Sequence, residues 1–196
     1  MKHFVKKERE ERERGRMSVE VENNSPAILS VVGKSEAGKT TLIEKILPCL
    51  VRRGIKVGTI KHDVHGFTMD REGKDSYRHK QAGALTTVIS SPSKIGMVRD
   101  ADHDHTIKEI VDLYLKDMNL VLTEGYKRES WPKLEVHRRE LKRPLIAKPE
   151  EGLIAVASDE ELDVNVPVFG LDDVEQISDF LISYFKLHPE SSKSAV

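Results

Sequence analysis

Residues 33–41, with the sequence GKSEAGKTT, contain the side chains and glycines that a phosphate-binding loop requires. They follow the apolar run 27–32 and lead into a segment with helical spacing of apolar residues, which is the context of a P-loop. Gly33 and Gly38 allow backbone angles that turn successive N–H groups toward one anion, and the following helix adds its positive dipole end. The predicted phosphate-binding residues are Gly33, Lys34, Ser35, Glu36, Ala37, Gly38, Lys39, Thr40 and Thr41.

A nucleoside triphosphate site also needs a magnesium ion and the groups that hold it. Lys39 is placed to reach the β- and γ-phosphates, and the Thr40 hydroxyl to ligate Mg²⁺. Glu124 follows the apolar run 120–123 as a Walker-B acid would, and Asp63 follows the second strand candidate. Because parallel strands end at one crevice, we expect both carboxylates near Thr40. Lys39, Glu124 and Asp63 are the predicted catalytic residues, and Thr40, Glu124 and Asp63 the predicted metal ligands; solvated strand ends are the alternative.

One carboxylate bears on the identity of the base. The Asn/Thr-Lys-x-Asp motif that usually reads guanine does not occur after the Walker-B strand. Asp159, in the sequence AVASDE, follows the strand candidate 153–157. There its oxygens could accept hydrogen bonds from the guanine N1–H and exocyclic amine, a donor pair that adenine lacks. Asp159 therefore favours GTP as the nucleotide, with an ordinary surface loop as the alternative.

Histidines and acids in two segments raise the question of a transition-metal site. His62 and His65 flank Asp63, and residues 102–105 read Asp-His-Asp-His. Neither segment has the closed four-ligand spacing of a structural metal site. We favour a pH-sensitive phosphate or partner contact for His62 and His65. For residues 102–105 we favour a solvated loop, because a helical pattern begins at Thr106, and a metal site is the alternative.

The segment 126–148 concentrates basic side chains around Trp131 and predicts a basic hairpin. Such a hairpin offers a surface for a partner protein or a pyrophosphate group. A solvated sheet edge that charge protects from strand addition is the alternative. The basic residues are Lys127, Arg128, Lys133, Arg138, Arg139, Lys142, Arg143 and Lys148.

Apolar periodicity predicts the elements that must position these residues. The alternation of strands and helices predicts an α/β P-loop NTPase fold, with a mostly parallel sheet flanked by helices and an additional β-hairpin extension. Strands are predicted at 27–32, 55–61, 86–90, 94–98, 120–123, 134–137, 153–157 and 166–169, and helices at 39–53, 76–82, 106–117 and 172–186.

Three local features refine this prediction. Pro48 lies inside the first predicted helix, so we expect a bend or a short final turn before Gly54 ends it. Asp172 is predicted to cap the last helix, with Glu175 in a capping box. The polar stretch 62–75 is long enough to predict a functional loop.

Composition limits the class of protein. The 196 residues carry a formal net charge of −1, which gives no overall attraction to nucleic acid or anionic lipid. No apolar run approaches the ~20 residues of a membrane helix. Cys49 is the sole cysteine and cannot form an internal disulfide, which fits a reducing cytoplasm. We predict a charged, disordered extension at 1–24, a GTP-binding domain at 25–187 and a polar tail at 188–196.

Four stretches of the chain resemble a known family, the molybdopterin-guanine dinucleotide biosynthesis protein B (MobB) family. They are GKSEAGKTTLIEKILP, GTIKHDVHGFTMDREGKDSYRHKQAGA, LVLTEGYK and AVASDE. The resemblance implies a P-loop GTP-binding fold, usually a homodimer, that assists a MobA-type molybdopterin guanylyltransferase. Matched by motif, Gly33, Gly38, Lys39 and Thr40 bind phosphate and magnesium, and Glu124 is the Walker-B acid. His62, Asp63 and Asp75 fall in the second stretch without separate roles.

Together these features predict a GTP- and Mg²⁺-binding accessory protein of molybdenum cofactor biosynthesis, with molybdopterin as a further candidate ligand. No internal arginine finger or water-positioning glutamine is identifiable, so we expect slow GTP hydrolysis. A nickel-insertion GTPase, favoured by the histidines, and a small-molecule kinase are the alternatives.

Overall fold

The computed structural model describes residues 25–126 and 129–189, in which a six-stranded parallel sheet is the largest unit. Its strand order is β2-β5-β1-β6-β7-β8, and every neighbouring pair runs parallel. A separate two-stranded antiparallel sheet joins β3 to β4. The strands are β1 (Ala27–Val32), β2 (Val57–Lys61), β3 (Thr86–Ser90), β4 (Ile95–Arg99), β5 (Leu120–Glu124), β6 (Lys133–His137), β7 (Leu153–Ser158) and β8 (Val168–Gly170).

Helices cover both faces of the large sheet, which buries its apolar side chains. Strand β1 lies in the middle of the sheet and is buried along most of its length. Helices α1 and α4 pack on one face around Leu29, Ile46 and Leu181, and α3 packs on the other around Ile107 and Val121. Each fully buried aliphatic side chain contributes roughly 1.5–3 kcal/mol to folding. The helices are α1 (Lys39–Arg52), α2 (Asp75–Gln81), α3 (Ile107–Tyr114) and α4 (Val174–Phe185).

The carboxyl ends of the parallel strands meet at one edge of the sheet. Lys61 of β2 lies in register with Glu124 of β5, and Glu124 with Val31 of β1. On the other side of β1, Val32 lies in register with Glu135 of β6. The loops after these strands therefore line one crevice, which confirms the predicted mostly parallel α/β architecture.

The β3–β4 hairpin is the predicted hairpin extension, and it differs from the large sheet in exposing apolar side chains. Val88, Ile89, Ile95 and Met97 are between 41% and 77% exposed. Lys80 on α2 joins the hairpin region through Nζ, which donates to the Ala84 carbonyl at 2.7 Å and to Asp100 at 2.6 Å. Within the described residues, no helix is both long and apolar enough to span a bilayer.

The predicted basic hairpin at 126–148 is wrong over its described residues. Its centre is β6, a strand buried between β1 and β7. Lys133 is buried because its Nζ donates to the carbonyls of Glu129, Trp131 and Glu151 at 2.8, 3.2 and 2.6 Å. Lys133 is therefore a structural cation rather than part of a partner surface. Lys127 and Arg128 lie outside the described residues.

Another buried charge on β6 is satisfied locally. The Glu135 carboxylate accepts from the backbone N–H groups of Ile146 and Ala147 at 2.8 and 3.0 Å. Burial raises the pKa of Glu135, and those two hydrogen bonds oppose the rise. Alternation of apolar and polar residues along β6 places Leu134 and Val136 against α1 and leaves the charged residues on the opposite face.

The predicted capping box of the last helix is also wrong. Asp173, not Asp172, is the N-cap residue, and its side chain accepts from Gly170 N at 2.8 Å. Asp172 pairs instead with Lys45 on α1 at 2.6 Å, and Glu175 pairs with Arg52 at 2.6 Å. Cations on the neighbouring helix therefore compete successfully with the local backbone for both carboxylates.

One helix end agrees with the sequence prediction and another differs. Helix α1 continues through Pro48 and ends at Arg52, just before Gly54, the predicted stop, which has a φ of 76°. Helix α3 ends at Tyr114, three residues before the predicted end, because the backbone of Leu115 leaves the helical conformation, with a φ of −131° and a ψ of 19°. Tyr114 is 44% exposed and so does not belong to the buried face predicted for it.

Candidate nucleotide site

The loop between β1 and α1 forms a concave cradle at the crevice. Gly33 has a φ of 146°, and a Cβ there would lie 2.5 Å from the Val136 carbonyl oxygen. Gly38 has a φ of 95° and is the N-cap of α1, with no side chain to bond the first helical N–H groups. Those N–H groups have no acceptor within the helix. The loop therefore presents free donors and a positive dipole end to an anion.

Lys39 lies across this loop. Its Nζ donates to the carbonyls of Gly33 and Lys34 at 3.3 and 3.0 Å. An ammonium group has three donors, so one N–H remains for a phosphate oxygen. The side chain is thereby held over the cradle, in the position expected of a P-loop lysine.

Thr40 and Glu124 meet on the β5 side of the loop, which we call the metal side. The Thr40 Oγ1 lies 3.1 and 3.0 Å from the two carboxylate oxygens of Glu124. This confirms the predicted proximity of the two side chains. A hydroxyl and a carboxylate are hard oxygen donors of the kind that Mg²⁺ prefers, so these residues fit that ion.

Asp63 is placed differently. It is exposed, and its Oδ1 accepts from the backbone N–H of His65 at 2.9 Å, which closes a local turn. No hydrogen bond in the described residues joins Asp63 to Thr40 or Glu124. The structure therefore brings Glu124, and not Asp63, into contact with Thr40.

His62 links the metal side to a more distant loop. Its backbone N–H donates to the Glu124 carbonyl at 2.9 Å, and its ring centroid lies 4.5 Å from that of Tyr126. Its Nε2 lies 3.0 Å from an Asp104 carboxylate oxygen. These contacts show a histidine that connects three loops. A contact of His62 with phosphate or with a partner stays a prediction.

Arg138, directly after β6, lies on the opposite side of the P-loop, which we call the base side. Its Nε donates to the Ala37 carbonyl at 3.2 Å, and its Nη2 lies 3.4 Å from where a Cβ on Gly38 would be. The sequence predicts a partner or pyrophosphate surface for the segment that contains Arg138, and this contact, which places Arg138 on the phosphate loop, favours the pyrophosphate alternative. The available signal was a basic residue immediately after a strand, the same logic that identified Glu124.

Asp159 follows β7 and lines an open cavity of about 840 Å³ together with Leu162 and Phe169. That volume is in the range of small-ligand sites. Asp159 Oδ1 accepts from Arg139 N at 2.8 Å, and this hydrogen bond holds the pKa of Asp159 below its ordinary value, with smaller help from the charge of Arg138. The carboxylate is therefore ionised at neutral pH beside the cavity.

The parallel sheet and the strand–loop–helix unit at residues 33–40 place the molecule in the class of P-loop NTPase-like proteins, with a nucleotide-binding type of fold. The model of the family described as molybdopterin guanine dinucleotide synthesis protein B matches residues 28–159, about two thirds of the chain. The chain belongs to this family.

Curated relatives agree with the family model. The chain is 34% identical over 160 residues to the molybdopterin-guanine dinucleotide biosynthesis adapter protein of Haemophilus influenzae, covering 81% of this chain and 89% of the relative. It is 33% identical over 167 residues to the protein of the same name from Escherichia coli, covering 81% and 93%. The predicted family resemblance is confirmed, and neither alternative class, kinase or nickel-insertion GTPase, is named among these relatives.

Solved structures give the same result. A crystal structure of molybdopterin-guanine biosynthesis protein B matches with a TM-score of 0.64 and 32% identity, covering 81% of this chain and 99% of the other. The crystal structure of Bacillus subtilis MobB matches with a TM-score of 0.66 and 28% identity, covering 84% and 99%. The fold described above is thus the fold of the family.

Proposed function

We propose that this protein binds GTP and Mg²⁺ at the loop 33–41 and acts as an adapter in molybdenum cofactor biosynthesis. The observation that carries the nucleotide proposal is the meeting of Thr40 and both Glu124 carboxylate oxygens beside a P-loop that Lys39 crosses. Family membership supports the role in molybdenum cofactor biosynthesis. The Mg²⁺ ion would shield phosphate charge on the metal side.

The strand order supports one direction for the bound nucleotide. Glu124 ends β5 on one side of β1, and Arg138 and Asp159 follow β6 and β7 on the other. The terminal phosphate therefore belongs at Thr40 and Glu124, and guanine belongs near Asp159. Arg138 stands between these two ends and is suited to neutralise the inner phosphates.

Hydrolysis by the protein alone is proposed to be slow. A cation on the terminal phosphate can contribute about 10³ to 10⁵ in rate. Arg138 lies on the base side, and no hydrogen bond or ion pair in the described residues joins an arginine to Thr40 or Glu124. The catalytic group on the metal side is then supplied by a partner or is absent.

A homodimer is supported by the β3–β4 hairpin. The strand register places the exposed Val88, Ile95 and Met97 on one face of the hairpin, which gives an apolar surface unusual for an isolated chain. A second copy of the chain is the proposed occupant of this surface. Val88→Glu with Ile95→Glu, two changes on that one face, should convert a dimer to a monomer in size-exclusion chromatography with light scattering, and an unchanged mass would assign the dimer contact elsewhere.

The first experiment measures nucleotide choice. Isothermal titration of the full chain with GTP or ATP, each with Mg²⁺, should give saturable binding with a clear preference for GTP. Equal affinity for both nucleotides would remove the guanine assignment while leaving a nucleotide site. No binding of either would overturn the proposal.

The second experiment measures the adapter role. A labelled MobA-type molybdopterin guanylyltransferase is titrated with this protein in the absence and presence of GTP and Mg²⁺ at fixed salt, and molybdopterin is added in a third arm. Binding whose affinity changes with GTP is expected, because His62 connects the metal side to neighbouring loops. Equal affinity in both nucleotide states would rule out a switch.

A further inference from the structure

The loop between β4 and α3 gathers three potential metal ligands outside the nucleotide site. Asp102, His103 and His105 each offer one ligand atom, and these atoms lie within 4.8 Å of one another. In a tetrahedral shell, atoms about 2.0–2.1 Å from an ion are about 3.3 Å apart. The three atoms therefore need to close by at most ~1.5 Å, which side-chain rotations supply, since Asp102 and His103 are exposed and His105 is half-buried.

One partner within the trio and one outside it orient the first histidine. His103 directs Nδ1 to Asp102 at 2.7 Å and Nε2 to Glu109 at 3.2 Å. Glu109 is itself fixed, because it accepts from the backbone N–H and the hydroxyl of Thr106 at 2.8 and 2.9 Å. A carboxylate that accepts from the outer ring nitrogen of a ligating histidine is the usual support of a metal site.

The second histidine is oriented by the backbone. His105 Nδ1 lies 3.1 Å from the His103 carbonyl oxygen and is thereby its donor. Its Nε2 then carries the lone pair that a ligand needs. The two rings lie stacked, with centroids 4.0 Å apart and an interplanar angle of 18°. Both imidazoles therefore lie together on one side of the loop.

We propose that Asp102, His103 and His105 bind a divalent transition-metal ion of the Zn²⁺ type, and that the ion fixes the loop that holds His62 and Tyr126 beside Glu124. Two imidazoles and one carboxylate suit Zn²⁺, Co²⁺ or Ni²⁺ better than Mg²⁺ or Ca²⁺, which prefer oxygen donors. Three protein ligands leave a fourth position for water.

Two contacts join this loop to the metal side of the nucleotide site. Asp104, between the two histidines, lies 3.0 Å from His62 Nε2. The Tyr126 hydroxyl donates to the His105 carbonyl at 3.2 Å. The backbone N–H of His62 donates to the Glu124 carbonyl, and Tyr126 lies two residues after Glu124 in the chain. Ordering the loop should therefore restrict the positions that the Glu124 side chain can adopt. This coupling rests on the proposed nucleotide function, and the metal site does not.

The test of the metal site uses the full-length, chelator-treated protein and Zn²⁺ in excess Mg²⁺. Isothermal titration should give one Zn²⁺ per chain, and His103→Ala and His105→Ala should each weaken it by about tenfold or more. His188→Ala removes an exposed histidine elsewhere and should leave the affinity unchanged. Melting temperatures of the metal-free variants check their folding. Binding that both loop variants retain unchanged, or no saturable binding, would overturn the proposal.

The test of coupling uses the sole tryptophan. Trp131 Nε1 donates to Glu129 at 2.8 Å, and the other oxygen of Glu129 lies 3.5 Å from the N–H of Ile107, where α3 begins. Zn²⁺ should shift Trp131 emission in the wild type, and this readout needs no nucleotide. Asp104→Asn should retain Zn²⁺ binding and lose the Zn²⁺ effect on GTP affinity. An effect of the same size in that variant would show that His62 does not transmit it.

Discussion

The two sides of the phosphate loop differ in charge and in the ligand groups that they can bind. The metal side presents a hydroxyl and a carboxylate, Thr40 and Glu124, in contact with each other. The base side presents a guanidinium against the loop backbone and a carboxylate beside a cavity, at Arg138 and Asp159. Anionic phosphates are tolerated next to Glu124 only if a cation lies between them. They are attracted to Arg138 directly.

This contrast separates the residues that bind the nucleotide directly from those that act through Mg²⁺. Groups that touch phosphate without an intermediary should govern affinity whether or not Mg²⁺ is present. Groups on the metal side should matter only with Mg²⁺. The variants below test this separation and run from the largest expected effect on GTP affinity to the smallest.

Lys39→Ala should remove most of the stabilisation that GTP gives, because Lys39 crosses the cradle between the two sides. Ligand at about 100 times its dissociation constant stabilises by roughly 2.7 kcal/mol, or about 5–10 °C in melting temperature for a chain of this size. Lys94→Ala, at the exposed turn of the hairpin, is the matched loss of one lysine and should keep the full shift. Persistence of the shift in Lys39→Ala would place the phosphates elsewhere.

Arg138→Ala should weaken GTP by roughly 1.5–3 kcal/mol, about ten- to a hundredfold, with or without Mg²⁺. Arg139 is the matched control, since it is 71% exposed and pairs with Glu160 at 3.2 Å. Arg139→Ala should change affinity by less than about 0.5 kcal/mol. Titrations of both variants with GTP measure the difference. If the two behave alike, the Arg138 contact with the loop has no role in binding.

The same two sides show how far sequence reasoning reaches. The meeting of Thr40 and Glu124 was predictable because each belongs to a contiguous pattern, an apolar strand followed by a phosphate loop or by an acid, although the same rule also selected Asp63, which closes a local turn. Arg138 directly follows β6 and offered the same kind of signal, but the prediction of a basic hairpin at 126–148 missed the long-range parallel pairing of β6 with β1. The capping error at Asp172 has a related cause, since its partner Lys45 lies on another helix. Local patterns therefore predicted most elements, and long-range pairings decided what local patterns could not.

Asp159→Asn should lower the ratio of GTP to ATP affinity by about tenfold while leaving ATP affinity nearly unchanged. Asparagine keeps an oxygen for the Arg139 N–H but presents an amide donor where guanine needs an acceptor. Glu161→Gln, a neutralisation on the same cavity, should leave the ratio as it was. An unchanged ratio in Asp159→Asn would show that Asp159 belongs to an ordinary surface loop and does not read the base.

Glu124→Gln should have the smallest effect on GTP affinity and should show it only with Mg²⁺. In the absence of Mg²⁺ the affinity should be unchanged or slightly higher, because a negative charge near the phosphates is removed. With Mg²⁺ the affinity should fall by a few-fold, about 1 kcal/mol or less, and Mg²⁺-dependent turnover should fall further, since the ion loses a charged partner.

Asp63→Asn is the companion variant. It should match the wild type if Asp63 only closes its turn with His65, and should resemble Glu124→Gln if Asp63 holds the outer shell of the ion as predicted from sequence. Loss of Mg²⁺-free binding in Glu124→Gln would show that the two sides are not separable.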